Sequence, residues 1–242
     1  MRTTKTHLLS VAALLCLAPL AARADHKEFQ GRTGLPTVKE GKDTVWMERG
    51  IVTLDVQGND LVTTQDFKVH YPSGKLAKGD QVAKMGVRED YFRSKDNGAG
   101  DITDSDAKGF SKFDVIIDDQ PITTNTSAWI FNEKKDTATR WREWRIDFTP
   151  GDVHTMKVIS VAPLGWDGDH RTVQFIGKDL GGWRTKPDYL EITLRTPNIP
   201  EARLIDLQPK PVNQTPNVVR WIYRKVNPKR DVLISLPSDY KP

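Results

Sequence analysis

From Thr44 onward the chain is built of short runs in which apolar and polar residues alternate, and Gly, Pro, Asn and Asp punctuate them about every 8–12 residues. Residues 45–56 (VWMERGIVTLDV) read as one or two strands, with Gly50 as a candidate bulge. After the turn Gly58-Asn59-Asp60, residues 61–71 place Phe67, Val69 and Tyr71 on one face and Asp66, Lys68 and His70 on the other. Residues 82–92 make a weaker strand. Phe113, Val115 and Ile117 alternate ahead of the turn cluster Asp118-Asp119-Gln120-Pro121, and residues 127–131 form another short strand.

Further on, Trp144, Ile146 and Phe148 oppose Glu143, Arg145 and Asp147. Pro150-Gly151 then suits the centre of a type II turn, because Pro fixes φ and Gly accepts a positive one. The spacing therefore predicts a hairpin over 141–162. Residues 172–176 and 189–194 predict a further pair joined by 177–187, with Leu190, Ile192 and Leu194 inward. Residues 218–226 and 232–236 are two closing strands around Asn227-Pro228, expected to return to the main body.

No window carries a helical stripe. The predicted fold is all-β: a large antiparallel β-sandwich, immunoglobulin-like or related, with little or no helix outside an N-terminal leader. Residues 44–242 form its single domain. Within it, the Pro-rich connection 196–216 is edge-like, since Pro cannot donate to a ladder. Residues 94–112 read as a long polar loop, and the aperiodic, polar stretch 25–43 predicts a poorly ordered lead-in.

The first 24 residues have the form of a secretory signal peptide. Arg2 and Lys5 precede an apolar stretch, and Ala22-Arg23-Ala24 is a small-x-small cleavage site. Cleavage after Ala24 predicts a periplasmic or extracellular protein with no transmembrane segment. It also changes the charge. The formal +4 includes Arg2, Lys5 and Arg23 of the leader, which has no acid, so about one positive charge remains. That excludes the basic footprint of a nucleic-acid binder. Cys16, the single cysteine, leaves with the leader, which excludes disulfides and a Cys-based zinc cluster.

Several of these segments together resemble a family of exported bacterial proteins known only as a domain of unknown function. The similar segments are VWMERGIVTLDV followed by a strand such as FKVHY, then WREWRIDFTPGDVHTMKVISV, GWRTKPDYLEITL and VVRWIYRKVNPKRDVLISLP. They cover most of residues 45–236. The resemblance lies in strands and aromatics, and it implies an exported β-sandwich with no established activity. The Asp-rich insertion at 94–112 is not part of it.

No catalytic signature is present: no G-x-S-x-G, H-E-x-x-H, P-loop or dinucleotide fingerprint. Asp96, Asp101, Asp104 and Asp106 are spaced as oxygen ligands for Ca²⁺, although Lys108 intrudes, no Glu closes the loop and a solvated polar loop is the simpler reading. The densest polar cluster is the loop Gly165-Trp166-Asp167-Gly168-Asp169-His170, with Trp183 in the next connection. Trp166 and Trp183 offer indole platforms for a sugar ring, and Asp167, Asp169 and His170 offer hydroxyl partners. The competing reading is a turn in which Trp166 covers the core. Trp141 has the parity opposite to Trp144 and is the candidate exposed aromatic on a strand. The charged runs 140–145 and 220–230 read as solvated strand faces.

These observations predict a non-enzymatic binding or envelope-associated accessory protein. It would be monomeric or weakly associating, with an envelope protein or glycan as partner and no nucleic acid. The alternatives are a carbohydrate-binding module using exposed Trp, or a hydrolase or lyase acting on envelope polysaccharide through Asp167, Asp169 and His170.

Overall fold

The computed structural model describes residues 33–74, 81–92, 109–132, 137–166, 170–178, 180–197, 199, 204–215 and 217–240. They are organised as strands, with no α-helix among them. As expected, the protein is an all-β sandwich. One layer is an eight-stranded sheet. Its strands are β3 (Trp46–Gln57), β4 (Asp60–His70), β6 (Lys112–Ile117), β7 (Gln120–Ile122), β11 (Val153–Pro163), β14 (Tyr189–Arg195), β16 (Asn213–Thr215) and β17 (Val218–Tyr223), in the order β16-β17-β14-β3-β4-β11-β6-β7.

The other layer is two five-stranded sheets. The first contains β2 (Thr37–Glu40), β5 (Gln81–Phe92) and β10 (Thr137–Phe148), with β8 (Asn125–Thr126) and β9 (Ile130–Asn132) along the β10 edge. The second contains β1 (Thr33–Gly34), β13 (Arg171–Ile176), β18 (Val232–Ser235) and β15 (Ile205–Gln208), with β12 (Gly165–Trp166) on β13. Most pairings are antiparallel. Two are parallel, β3 with β14 and β1 with β13.

Residues 33–40 stitch the two small sheets together, which corrects the expectation of a poorly ordered lead-in there. β1 pairs with β13, and β2 pairs with β5. Between them the Leu35 amide donates to the Ile176 carbonyl at 3.0 Å, and Leu35 and Val38 are buried. The stretch lacks periodicity because each strand is so short, and its contacts are with distant parts of the chain. Gln65 and Ser160, inward-facing on the large sheet, hydrogen-bond to Gly34 O and Thr33 Oγ1 respectively, so this junction sits on the core.

The predicted hairpin over 141–162 is instead a crossing between layers. β10 pairs with β5, whereas β11 pairs with β4 and β6. The turn is where the sequence put it, with Gly151 at φ 93°. It is fixed by its neighbour: the Gly151 amide donates to the Pro72 carbonyl at 3.1 Å, and the Tyr71 amide donates to the Asp152 carbonyl at 2.9 Å. Tyr71 and Phe148 stack at 5.7 Å. The chain thus passes from β4 to β5 and from β10 to β11 side by side, so that β4–β11 pair in one layer and β5–β10 in the other. The predicted pair 172–176 and 189–194 also divides, β13 to a small sheet and β14 to the large one. The closing strands β17 and β18 do the same.

Within the elements the face assignments hold. Trp144, Ile146 and Phe148 are buried, as are Phe67, Val69 and Tyr71, and Leu190, Ile192 and Leu194. The irregularity in β3 lies between Met47 and Arg49, just before Gly50. The Pro-rich connection supplies β15 and β16, each at the edge of its sheet. Arg140 corrects one expectation: it has the parity of Trp144 and is buried, not solvated.

Candidate functional site

The face of the large sheet turned away from the core is covered by no other layer among the described residues. Alternation puts Arg49, Lys68, Thr155 and Tyr189 on it, and register lines them up. Tyr189 is opposite Arg49 through the parallel β3–β14 pair, Arg49 is opposite Lys68, and Lys68 is opposite Thr155. Arg224 follows the last residue of β17, beside the pair Leu190 and Tyr223. The result is a row, Arg224–Tyr189–Arg49–Lys68, across four strands.

The two arginines in this row are held without being neutralised. The Arg224 guanidinium lies 4.8 Å from the Tyr189 ring centroid, and that of Arg49 lies 5.9 Å from it. Both are exposed, and neither forms an ion pair with a described residue. A cation over an aromatic face at an exposed site contributes roughly 0.5–1 kcal/mol, enough to orient the group while leaving its charge available. Tyr189 is fixed in turn: its hydroxyl donates to the Glu191 carboxylate, which also accepts from the Thr193 hydroxyl at 3.1 Å. The bond to Glu191, with burial and the Glu191 charge, raises the Tyr189 pKa against the opposing pull of Arg224 and Arg49. The phenol therefore stays a donor.

Lys68 has a carboxylate. It donates to Glu48 at 3.0 Å, and His70, stacked on Trp46 at 5.2 Å, bonds the other Glu48 oxygen. The hydrogen bond from Lys68 is the main cause of a lowered Glu48 pKa. Burial opposes it, and His70 and the two charges add to it. From this row an open groove of about 700 Å³ runs over Arg49, Ile51, Lys68, Ile116, Thr155 and Lys157. Lys157 faces Asp66 at 3.5 Å, an exposed pair of the kind worth about 0–1 kcal/mol. The groove is therefore mixed in character, with Ile51 and Ile116 as apolar floor, the Asp66 and Asp119 carboxylates in its lining and the Arg49 guanidinium at one end.

The residues singled out in the sequence do not converge here. Trp183 is buried in the core, and its indole N–H donates to the Pro36 carbonyl at 2.9 Å. It lies at the Val45 end of the sandwich, since Arg184 N donates to Val45 O. Trp166 is at the opposite end. β12 follows Leu164, whose amide donates to Asn59 O in the β3–β4 turn, and Trp166 pairs with Arg171. The two tryptophans therefore belong to different ends, and nothing brings them into one platform. Trp141 is half-buried on the outer face of β10, with the Lys39 ammonium 4.4 Å from its ring centroid. His170 is half-buried at the start of β13. Asp167 and Asp169 lie outside the described residues, as do Asp96, Asp101, Asp104 and Asp106. Among the described residues no group of three or more His, Cys, Asp or Glu could hold a metal ion.

Two further ionic clusters serve the fold. Glu89, on the core side of β5, accepts from Arg140 Nε at 2.6 Å, Arg142 Nε at 3.2 Å and the Phe110 amide at 2.7 Å. Every donor lies within the sandwich, and the carboxylate is saturated. At the end of the large sheet Asp118 accepts from His154 Nδ1 at 2.5 Å and from the Thr155 amide at 2.8 Å. This closes the β6–β7 turn, where Asp118 and Asp119 both adopt positive φ. These aspartates are turn residues.

No family model matches the chain, and no curated protein matches it. Among solved structures it is similar to a candidate nutrient binding protein from Legionella pneumophila. That match has a TM-score of 0.65 and 13% identity, and it covers 87% of this chain and 72% of that one. At that identity the likeness establishes the fold alone. The chain also aligns with yeast leukotriene A4 hydrolase in complex with bestatin. There the TM-score is 0.37 at 11% identity, over 81% of this chain and 30% of the hydrolase. An M1 zinc metallopeptidase from Deinococcus radiodurans gives a TM-score of 0.35 at 8% identity, over 81% of this chain and 45% of that one. These last two scores bear on neither chemistry nor fold. No helix among the described residues is long and apolar enough to cross a membrane.

Proposed function

We propose that the chain is an exported, non-enzymatic binding protein of the periplasm or cell exterior, and that its ligand is an acidic glycan of the envelope. The observation that carries this reading is the pair of exposed guanidiniums, Arg49 and Arg224, set on either side of Tyr189 without a carboxylate partner among the described residues. Arg49 lines an open groove of about 700 Å³ on the same face, and Arg224 stands beside it across Tyr189. Arg is suited to this task, since its planar fork meets a carboxylate or phosphate with two hydrogen bonds. Ile51 and Ile116 supply the apolar contact that a sugar ring's carbon face takes.

Three lines support the reading. The N-terminal leader and the resemblance to exported β-sandwich proteins favour an envelope location. The Legionella protein of similar fold is described as a nutrient binder, which fits a binding role for this architecture. The groove residues are also carried on ladder strands of the large sheet, so the site is rigid and binding costs little ordering. Calorimetric titration with oligogalacturonate tests the proposal. Binding that weakens as salt rises, and that is lost in Arg49→Ala/Arg224→Ala, is the expected outcome. Equal heats for wild type and variant would refute it.

A further inference from the structure

We infer that the chain pairs with a second copy of itself through the open edge of β10, joining the two β5–β10 sheets into one across a two-fold axis at Ile146. The inference stands on register and charge, and it concerns the layer opposite the groove. Along β10, β9 pairs with residues 137–139 and β8 with 142–143. Beyond them, on the side away from β5, residues 144–148 have no strand partner among the described residues. The direction of their backbone groups follows from Trp141. Its carbonyl accepts from the Ser127 amide at 2.9 Å and its amide donates to the Ser127 hydroxyl at 2.9 Å, both on the β8 side. The β10–β5 register is unbroken from Thr137 to Phe148. Alternation therefore turns the N–H and C=O of Arg145 and Asp147 outward to the same open side.

That run is complementary to itself. Antiparallel pairing about Ile146 sets Arg145 opposite Asp147 of the second copy, and Asp147 opposite the second copy's Arg145. These are the positions whose amides and carbonyls face outward, so each such pair exchanges two backbone hydrogen bonds. It also places opposite charges directly across the ladder, the arrangement that favours cross-strand pairing. Among the described residues of one chain these side chains have no such partner opposite them. Arg145 is opposite Lys84, a like charge, and Asp147 is opposite Val82. Both are exposed. Three other described edges are blunted: Pro121 lies in β7, Pro209 follows β15, and β16 is three residues long. The 144–148 run carries no Pro and no bulge. A two-fold contact of this kind is isologous and closes at two copies.

Sedimentation equilibrium of the purified chain tests the inference, with charge reversals at these two exposed positions. Wild type is expected to dimerise reversibly. Arg145→Asp and Asp147→Arg, each of which sets like charges opposite one another twice, are expected to weaken dimerisation by about tenfold or more. The double exchange Arg145→Asp/Asp147→Arg is expected to restore it. An equimolar mixture of the two single variants is expected to pair as a heterodimer. Thermal melts of the variants keep loss of folding distinct from loss of pairing. A wild type that stays monomeric, or single reversals that dimerise as wild type does, would overturn the inference.

Discussion

Arg140 lies directly opposite Glu89 in the β5–β10 ladder, and both side chains point into the sandwich. The row that begins Phe148, Ile146, Trp144 on β10 goes on to Arg142 and Arg140 before the buried Ala138, and the row Ala83, Met85, Val87 on β5 goes on to Glu89. One end of the core is thus ionic. Removing a single member of a buried, hydrogen-bonded pair leaves the other charge uncompensated and costs about 3–5 kcal/mol. Glu89→Ala is expected to lose stability in that range by urea denaturation. Replacing both, as Glu89→Leu/Arg140→Met, is expected to recover part of the loss, since the Arg140 charge is no longer stranded while Arg142 and the Phe110 amide still lose their acceptor.

Gly109 covers this pair. A Cβ built there would lie 1.9 Å from Glu89 Oε1 and 2.4 Å from Arg140 Nη2. Neither atom can retreat without breaking its bond to the other. Gly109→Ala is therefore expected to destabilise by about 1–3 kcal/mol, as overpacking does. In an otherwise wild-type background Gly74→Ala serves as the comparison: it has positive φ but no described atom within 4 Å of its Cβ, so its expected cost is conformational.

How much of this was legible in the sequence follows a physical rule. Period-two alternation reports which residues face inward, and Trp144, Phe67 and Leu190 were read correctly from it. It does not report the partner. Pro150-Gly151 announces a chain reversal, but a reversal perpendicular to the sheet looks the same in sequence as one within it. The choice is made by Pro72 and Tyr71, some eighty residues upstream. The candidate site was hidden for the same reason: Arg49 meets Tyr189 only because β3 pairs in parallel with β14, and Arg224 reaches it only through the β14–β17 pairing. Of the tryptophans that did attract notice, Trp183 precedes Arg184, which bonds Val45 at the start of β3, whereas β12, which holds Trp166, follows Leu164, which bonds Asn59 beyond its end. Arg140 kept the parity of Trp144, and that parity was the available signal that it points inward.

Acid sensitivity is expected to reside partly in Asp118. Burial acts to raise its pKa, but the hydrogen bond from His154, the two from Thr155 and the His154 charge outweigh it. The net effect lowers the carboxyl below its ordinary 3.8. A group depressed in the folded state adds stability above its unfolded pKa and loses it as pH falls through the folded value. Asp118→Asn is expected to be less stable than wild type at neutral pH. Its urea midpoint should then fall less steeply than that of wild type as pH drops below about 4. Parallel curves for the two proteins would assign the acid limb to other groups.

The central claim is that the ligand lies along the outer face of the large sheet. Amide chemical-shift mapping during titration with oligogalacturonate tests it most directly, because each strand reports separately. The account predicts shifts concentrated at Arg49, Lys68, Tyr189 and Arg224, saturating together and receding as salt is raised. Shifts confined to residues 94–112 and 163–170, or no shifts at saturating ligand, would contradict it.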